Sequence, residues 1–154
     1  INESNLADPS STLRAIKHEF SHAIITALSG SNCPGWLDEG LAQWAECSEP
    51  KVLSKIMNNW LKTNEVISFK DLKNGFVGLD QEFVAPAYAQ SLYASKLLVK
   101  LAGKYRMKKY FTLLKEGNSS DSIFSQTFGF KQSEFSRALG SALNERYASL
   151  IQHP

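Results

Sequence analysis

The stretch that decides the fold, residues 18–22, reads His-Glu-Phe-Ser-His. It lies in a predicted helix over residues 9–29, which has Asp8 as its N-cap, Pro9 at its first helical position and Gly30 suited to a left-handed end. Because four residues make about one helical turn, the two histidines lie on one face and can bind the same tetrahedral zinc ion. Glu19 lies beside such a metal without binding it, where it can take a proton from a metal-bound water. The stretch therefore predicts a zinc site on this helix.

The same helix carries an apolar stripe on its other side. At 100° per residue, the stripe is centred about 180° away from the two histidines. We interpret the stripe as the core face of the helix, so the histidines form one wall of a site that a second element must close. The stripe consists of Leu13, Ile16, Phe20, Ile24 and Ala27.

A catalytic zinc usually has three protein ligands, and residues 36–42, Trp-Leu-Asp-Glu-Gly-Leu-Ala, offer the third. They open a second predicted helix, over about 36–47, which a short loop should fold back antiparallel to the first. Glu39 lies one turn into this helix and faces away from its apolar side. Asp38 is the competing ligand, and its alternative role is a carboxylate that favours the helix start. The spacing alone leaves both acids open.

The rest of the chain is also mainly helical. A third helix follows Pro50, and Val66-Ile67-Ser68-Phe69 is a candidate for a short extended stretch. A C-terminal helical part spans about residues 84–152, with Pro86 in the first turn of a long helix that reaches Gly103, and with further breaks at Gly117 and Gly129. Its predicted inward side chains include Tyr88, Leu92, Leu98, Val99 and Leu101, and, in a last helix from about Ser133, Phe135, Leu139, Leu143, Tyr147 and Leu150. The prediction is one mainly α domain over residues 1–154, a compact bundle of about six to seven helices.

Composition excludes several classes of protein. With 43% hydrophobic and 21% charged residues the chain is not disordered, and no apolar run reaches the roughly 20 residues of a membrane span. The net charge of +2 is small, and we interpret the basic run at 104–109 as a solvated helix face, so no nucleic-acid partner is expected.

Cys33 and Cys47 flank a predicted helix whose ends lie about 16 Å apart. This exceeds the roughly 7 Å limit of a disulfide, so no bridge between them is expected.

The sequence resembles the gluzincin metallopeptidases, which combine an HExxH motif with a downstream glutamate ligand, and specifically the peptidase-MA-like domains. The resemblance covers about residues 12–145. The specific matches are residues 18–22 and residues 35–44, Gly-Trp-Leu-Asp-Glu-Gly-Leu-Ala-Gln-Trp. Softer matches are the stretches 87–91, 113–117 and 128–130.

The resemblance implies a role for each matching residue. His18, His22 and Glu39 would bind one zinc ion, and Glu19 would be the general base that later passes its proton to the leaving amine. The implied function is that of a zinc metallopeptidase acting on a peptide or protein substrate. The same three ligands would also serve hydrolysis of a non-peptide amide or ester.

Three further residues receive implied roles in support of the site. Gln43, one turn after Glu39, would accept an N–H bond from a ligand histidine, in the place where such enzymes often have a carboxylate. Tyr88, within the 87–91 match, would donate to the oxyanion of the tetrahedral intermediate, and Tyr93 is the second candidate. Each tyrosine is otherwise a core residue that finds one partner.

Gluzincin domains usually also have a small β-sheet before the HExxH helix, whose edge strand pairs with the substrate. The residues before His18 do not alternate as a strand does, so we expect this sheet to be absent or cut away. A preceding domain of the same polypeptide is therefore an expected partner. The missing sheet also supports an alternative function. In it, zinc holds the first two helices together in a non-catalytic domain that has a regulatory role or binds peptides or proteins. The intact Glu19 supports catalysis, because structural zinc needs no base and prefers four protein ligands.

Overall fold

The computed structural model describes residues 8–46 and 50–145, and within these ranges it has six helices and no β-strand. The mainly helical bundle predicted from the sequence is therefore confirmed. The helices are α1 (Pro9–Ser29), α2 (Gly35–Glu46), α3 (Pro50–Trp60), α4 (Gln81–Lys115), α5 (Ser120–Phe128) and α6 (Gln132–Asn144).

Helix α1 begins and ends where the sequence predicts. Asp8 is the N-cap and accepts a hydrogen bond from the backbone of Ser10, with Pro9 as the first helical residue. Gly30 ends the helix in the left-handed conformation at φ 61°, which glycine adopts without steric cost. The chain then turns back within four residues, so α2 packs antiparallel to α1.

Helix α4 lies at the centre and contacts each of the other five described helices. The predicted break at Gly103 is confirmed, because its φ of 73° and ψ of 165° interrupt the helix there. The prediction that Pro86 lies in the first turn is wrong, since α4 begins five residues earlier, at Gln81. Near a helix start, the missing N–H of a proline removes only one intrahelical hydrogen bond.

Close packing of α2 on α4 fixes the position of the acidic residues of α2. Gly40 is buried, and a Cβ added to it would overlap the carbonyl oxygen of Ser91 and the hydroxyl of Ser95 on α4. The start of α2 is held by the α3–α4 connection, where the N–H groups of Gly35 and Trp36 donate to the carbonyls of Lys73 (2.6 Å) and Leu72 (3.0 Å). These bonds satisfy N–H groups that a helix start leaves without an intrahelical partner.

The predicted core face of α1 is wrong. Phe20 is 65% exposed, and every member of the stripe Leu13, Ile16, Phe20, Ile24 and Ala27 lies at the surface, as does Leu28. The buried residues of α1, Ile25 and Ser29, instead continue the helix face that carries His18 and His22. A helix can turn only one face to the bundle, and here the histidine face contacts α2. Periodicity identifies an apolar stripe, but it does not show whether another helix packs against that stripe.

The other predictions for buried residues divide by position. Leu92, Leu98, Phe135 and Leu139 are buried, and Tyr88, Val99 and Leu143 pack partly against the core, but Leu101 is 49% exposed. Tyr147 and Leu150 lie outside the described residues, as does Cys47, so the expectation of no bridge to Cys33 stays a prediction. Among the described helices, none combines the length and the apolar character needed to cross a bilayer.

Candidate metal centre

Helices α1 and α2 bring two histidines and one glutamate together, as the sequence predicts for residues 18, 22 and 39. The Nε2 atoms of His18 and His22 lie 3.0 Å apart. Glu39 places Oε2 at 3.6 Å from His18 Nε2 and Oε1 at 3.8 Å from His22 Nε2. In a tetrahedral site with bonds of about 2.0–2.1 Å, neighbouring ligand atoms lie about 3.3 Å apart. The three side chains are therefore spaced to hold one metal ion.

The surroundings of these atoms also fit a cation. Glu39 is half-buried, and its Oε2 is enclosed and has no hydrogen-bond partner. A buried carboxylate oxygen without a partner is costly, and a bound cation removes that cost. The two Nε2 atoms face each other, and a metal ion between them can accept the lone pairs of both neutral rings. The donor set of two imidazoles and one carboxylate is one that zinc binds.

Each histidine also has a carboxylate near its second ring nitrogen. Nδ1 of His22 is hydrogen-bonded to Oδ1 of Asp38 at 2.9 Å. Nδ1 of His18 lies 3.1 Å from Oε2 of Glu46, an ion-pair distance outside hydrogen-bond geometry. A proton on Nδ1 leaves the Nε2 lone pair free, so Asp38 fixes the tautomer of His22 in which Nε2 can bind a metal.

The charges of the site act on the pKa values of its members. Burial lowers the pKa of His22, but the hydrogen bond with Asp38 and the charges of Asp38, Glu39 and Glu19 outweigh burial and raise it above its ordinary value. The pKa of Glu39 is raised, because the effect of burial exceeds the lowering that the charges of His22 and His18 cause. Glu19 is exposed on α1, and its charge acts on both Glu39 and His22. The predicted base thus lies within electrostatic range of two predicted ligands.

The two candidate tyrosines lie in different surroundings. Tyr88 is half-buried, and its pKa is raised by burial and by the charge of Glu39. Its ring packs edge-on against Phe76 at 4.7 Å. Tyr93 is buried, and its hydroxyl bonds Ser54 of α3; burial still raises the pKa of this phenol. Tyr88 is therefore the tyrosine on which the charge of a candidate ligand acts.

Gln43 does not contact either histidine in the structure. Its amide donates to the carbonyl of Glu39 at 3.3 Å and to that of Tyr88 at 2.9 Å. The predicted bond from Gln43 to a ligand histidine is therefore replaced by a tether between α2 and α4. This tether holds the backbone of Glu39 at a fixed distance from that of Tyr88.

The sequence interpretation missed the carboxylates that contact the histidines. Asp38 was considered as a rival ligand or as a carboxylate that favours the helix start, and Glu46 was not considered. A signal for Glu46 exists, because it follows Glu39 by seven residues and therefore lies on the same helix face two turns later. In an antiparallel pair of helices, two acids on that face meet two histidines one turn apart.

The first two helices of this bundle bring together two histidines and a glutamate, a group that could hold a metal ion. The family model of the Peptidase MA superfamily matches residues 4–144. Because this match spans most of its length, the chain belongs to the Peptidase MA superfamily, which is typically zinc-dependent. The predicted peptidase-MA-like family is thereby confirmed. No curated protein and no solved structure matches the chain.

Proposed function

We propose that this protein binds one zinc ion through His18, His22 and Glu39 and hydrolyses peptide bonds by a zinc-activated water, with Glu19 as the general base. The observation that carries the proposal is the mutual spacing of the three ligand side chains, with nitrogen–nitrogen and nitrogen–oxygen distances of 3.0, 3.6 and 3.8 Å. The membership of the chain in a typically zinc-dependent superfamily supports it.

Bound zinc supplies Lewis acidity, which polarises a carbonyl and brings the pKa of a coordinated water to about 7. The remaining chemistry belongs to residues of the chain. Glu19 is exposed next to the ligands, so its carboxylate is free to accept a proton from the water and to deliver it to the leaving amine. Asp38 holds the ring of His22 in the metal-binding tautomer. Tyr88 is the donor that we assign to the developing oxyanion.

The test of the zinc proposal is elemental analysis of the purified protein, together with cleavage of casein as an unstructured substrate. One zinc per chain with cleavage that depends on Glu19 is the expected result. One zinc without cleavage would support the alternative, a zinc-stapled binding or regulatory domain, which the lack of a strand among the described residues favours. Absence of zinc would contradict both functions.

Tyr88→Phe is expected to lower kcat by about 10²–10³ with little change in KM, because a hydrogen-bond donor to the oxyanion acts only after attack on the carbonyl. Tyr93→Phe is the matched control, since its hydroxyl bonds Ser54 of α3. Steady-state kinetics on one fluorogenic peptide compares the two variants. Equal rates for Tyr88→Phe and the wild type would remove Tyr88 from the mechanism.

Asp38→Asn is expected to weaken zinc binding about 10- to 100-fold while the fold is kept, because an amide holds the ring of His22 without the negative charge of the carboxylate. Competition with a chromophoric chelator measures the change in Kd. Asp71→Asn, at an exposed position away from the site, is the control. An unchanged Kd in Asp38→Asn would show that this carboxylate does not support the ligand.

The exposed apolar stripe of α1 bears on the partners of this domain. We propose that a preceding domain of the same polypeptide packs on the face formed by Leu13, Ile16, Phe20, Ile24 and Leu28, all 44–65% exposed. Contiguous apolar surface of this kind is typical of an interaction site. Because this face lies opposite the histidines on the same helix, a domain bound there would support the helix without covering the metal ligands.

Alkylation of a cysteine at position 20 tests this packing. Phe20→Cys in the present chain should react as fast as an exposed thiol, whereas attachment of the preceding domain should slow the reaction at least about tenfold, because the side chain then lies inside an interface. Peptide mass spectrometry reads out each position separately. Tyr105→Cys, at a residue that is 81% exposed on α4, is the control and should react equally in both proteins. Equal rates at position 20 would contradict the packing.

A further inference from the structure

The connection between α3 and α4 contains a segment at residues 64–68 that is neither helix nor turn. The side-chain amide of Gln90 bonds both backbone groups of Ile67: its Oε1 accepts from the N–H at 2.7 Å, and its Nε2 donates to the carbonyl at 2.8 Å. The N–H and C=O of one residue point the same way only in an extended backbone. Buried Gln90 thus occupies the place that a neighbouring strand would take on one side of the segment.

The opposite edge of this segment is free. In an extended chain, successive residues direct their backbone groups to alternate sides, so those of Val66 and Ser68 point away from Gln90. Within the described part of the chain, no hydrogen bond reaches the N–H or C=O of Val66 or the N–H of Ser68. The carbonyl of Ser68, in contrast, accepts from the N–H groups of Asp71 and Leu72. Three backbone groups are therefore available to a further strand.

Val66 and Ser68, the residues of this free edge, line a groove of about 730 Å³ between the segment and α6. The rings of Phe69 and Phe135 stack at 5.4 Å, and a Cβ on Gly140 would lie 3.8 Å from Cγ1 of Val66. These two contacts show that the segment and α6 run in opposite directions along the groove. The volume falls within the roughly 300–1,000 Å³ of ligand-binding clefts.

The groove wall carries two cations among its polar and apolar side chains. Ser136 and Arg137 line it from α6, and Lys70 lines it from the segment side. Neither Arg137 nor Lys70 has an ion-pair partner among the residues that the structure describes. Both lie towards the Phe69 end, whereas Glu65 lines the other end. The cation end is therefore suited to an acidic group.

We propose that this groove binds an extended acidic peptide, which adds a strand to the free edge at residues 66–68 and places a carboxylate against Lys70 and Arg137. Main-chain pairing at an edge provides affinity in such complexes, and side-chain pockets provide specificity. None of the candidate zinc ligands lines the groove, so this binding surface is separate from the metal centre and does not depend on the proposed hydrolysis.

Fluorescence anisotropy at low salt tests the proposal with two labelled eight-residue peptides, one of alternating threonine and glutamate and one of alternating threonine and lysine. The acidic peptide is expected to bind at least about tenfold more tightly, a difference of about 1.4 kcal/mol. Hydrogen exchange then locates the contact. Binding should slow exchange at the amides of Val66 and Ser68, whereas the amide of Ile67 is already bonded by Gln90.

Two variants complete the test. Ser136→Trp fills the groove and should weaken binding of the acidic peptide at least about tenfold. Arg137→Glu should weaken binding by as much, and because this position is exposed, the substitution should leave the fold unchanged. Ser125→Trp, on the exposed side of α5, is the matched control and should bind as the wild type does. Three results would each overturn the proposal. These are unchanged binding in both groove variants, equal binding of the two peptides, and unchanged hydrogen exchange at residues 66 and 68 when the peptide is added.

Discussion

Glu19→Gln is expected to keep the fold and the zinc but to lower the rate of peptide hydrolysis by about 10²–10⁴, the usual contribution of a general acid or base. The carboxamide has nearly the same shape as the carboxylate but cannot accept the proton of the attacking water. Glu19 is exposed and makes no hydrogen bond within the described residues, so the substitution removes no contact on which the fold depends.

Three measurements on one preparation separate the outcomes for Glu19. Zinc content should stay at one per chain, the melting temperature should stay unchanged, and casein cleavage should be lost. Glu82→Gln, another exposed glutamate without a side-chain contact in the described residues, controls for the change of net charge and should cleave as the wild type does. Full activity of Glu19→Gln would remove it as the base, and loss of zinc would show that it acts as a ligand.

His18→Ala and Glu39→Ala are each expected to abolish stoichiometric zinc binding. Each substitution removes one of three ligands, and the remaining pair lacks the closed arrangement of distances seen in the structure. Loss of either ligand also has a stability signature. A metal at 1,000 times its Kd stabilises the native state by about 4.1 kcal/mol, so the rise in melting temperature on adding zinc to the wild type should disappear in both variants.

The third histidine of the chain provides the control for this experiment. His153→Ala removes an imidazole outside the motif and should keep both the zinc and its stabilising effect. Elemental analysis after gel filtration, together with melting curves with and without zinc, gives both readouts without reference to enzymatic activity. Tight zinc retained in both His18→Ala and Glu39→Ala would overturn the ligand assignment, whether or not the protein cleaves peptides.

The sequence predicted local features well because short-range physics sets them. The N-cap at Asp8, the left-handed end at Gly30 and the break at Gly103 depend on a residue and its near neighbours, and the structure confirms all three. The approach of α2 to His18 and His22 was also predictable from helical periodicity and a short loop. These left Asp38 and Glu39 both open as ligands, and the family resemblance favoured Glu39, which the structure places with the two histidines.

Other features required contacts between distant residues. Gln43 was expected to support a histidine, but it bonds the carbonyl of Tyr88, 45 residues away. Gly40 lies within the matching stretch 35–44, but no role for it followed from the sequence. The structure shows that α4 leaves no room for a Cβ at this position. Such contacts depend on how closely two helices approach, which is a property of the assembled bundle.

Sequence alone thus determined that the chain is helical, where α1 begins and ends, and that His18 and His22 share one helix face. The tertiary structure alone decided which face of α1 turns inward. The apolar stripe at Leu13, Ile16, Phe20, Ile24 and Ala27 has the periodicity of a core face, yet it is exposed, while the histidine face packs on α2. The physical reason is that periodicity shows only which side of a helix is apolar. Which side is buried depends on the surfaces that the other helices present to it.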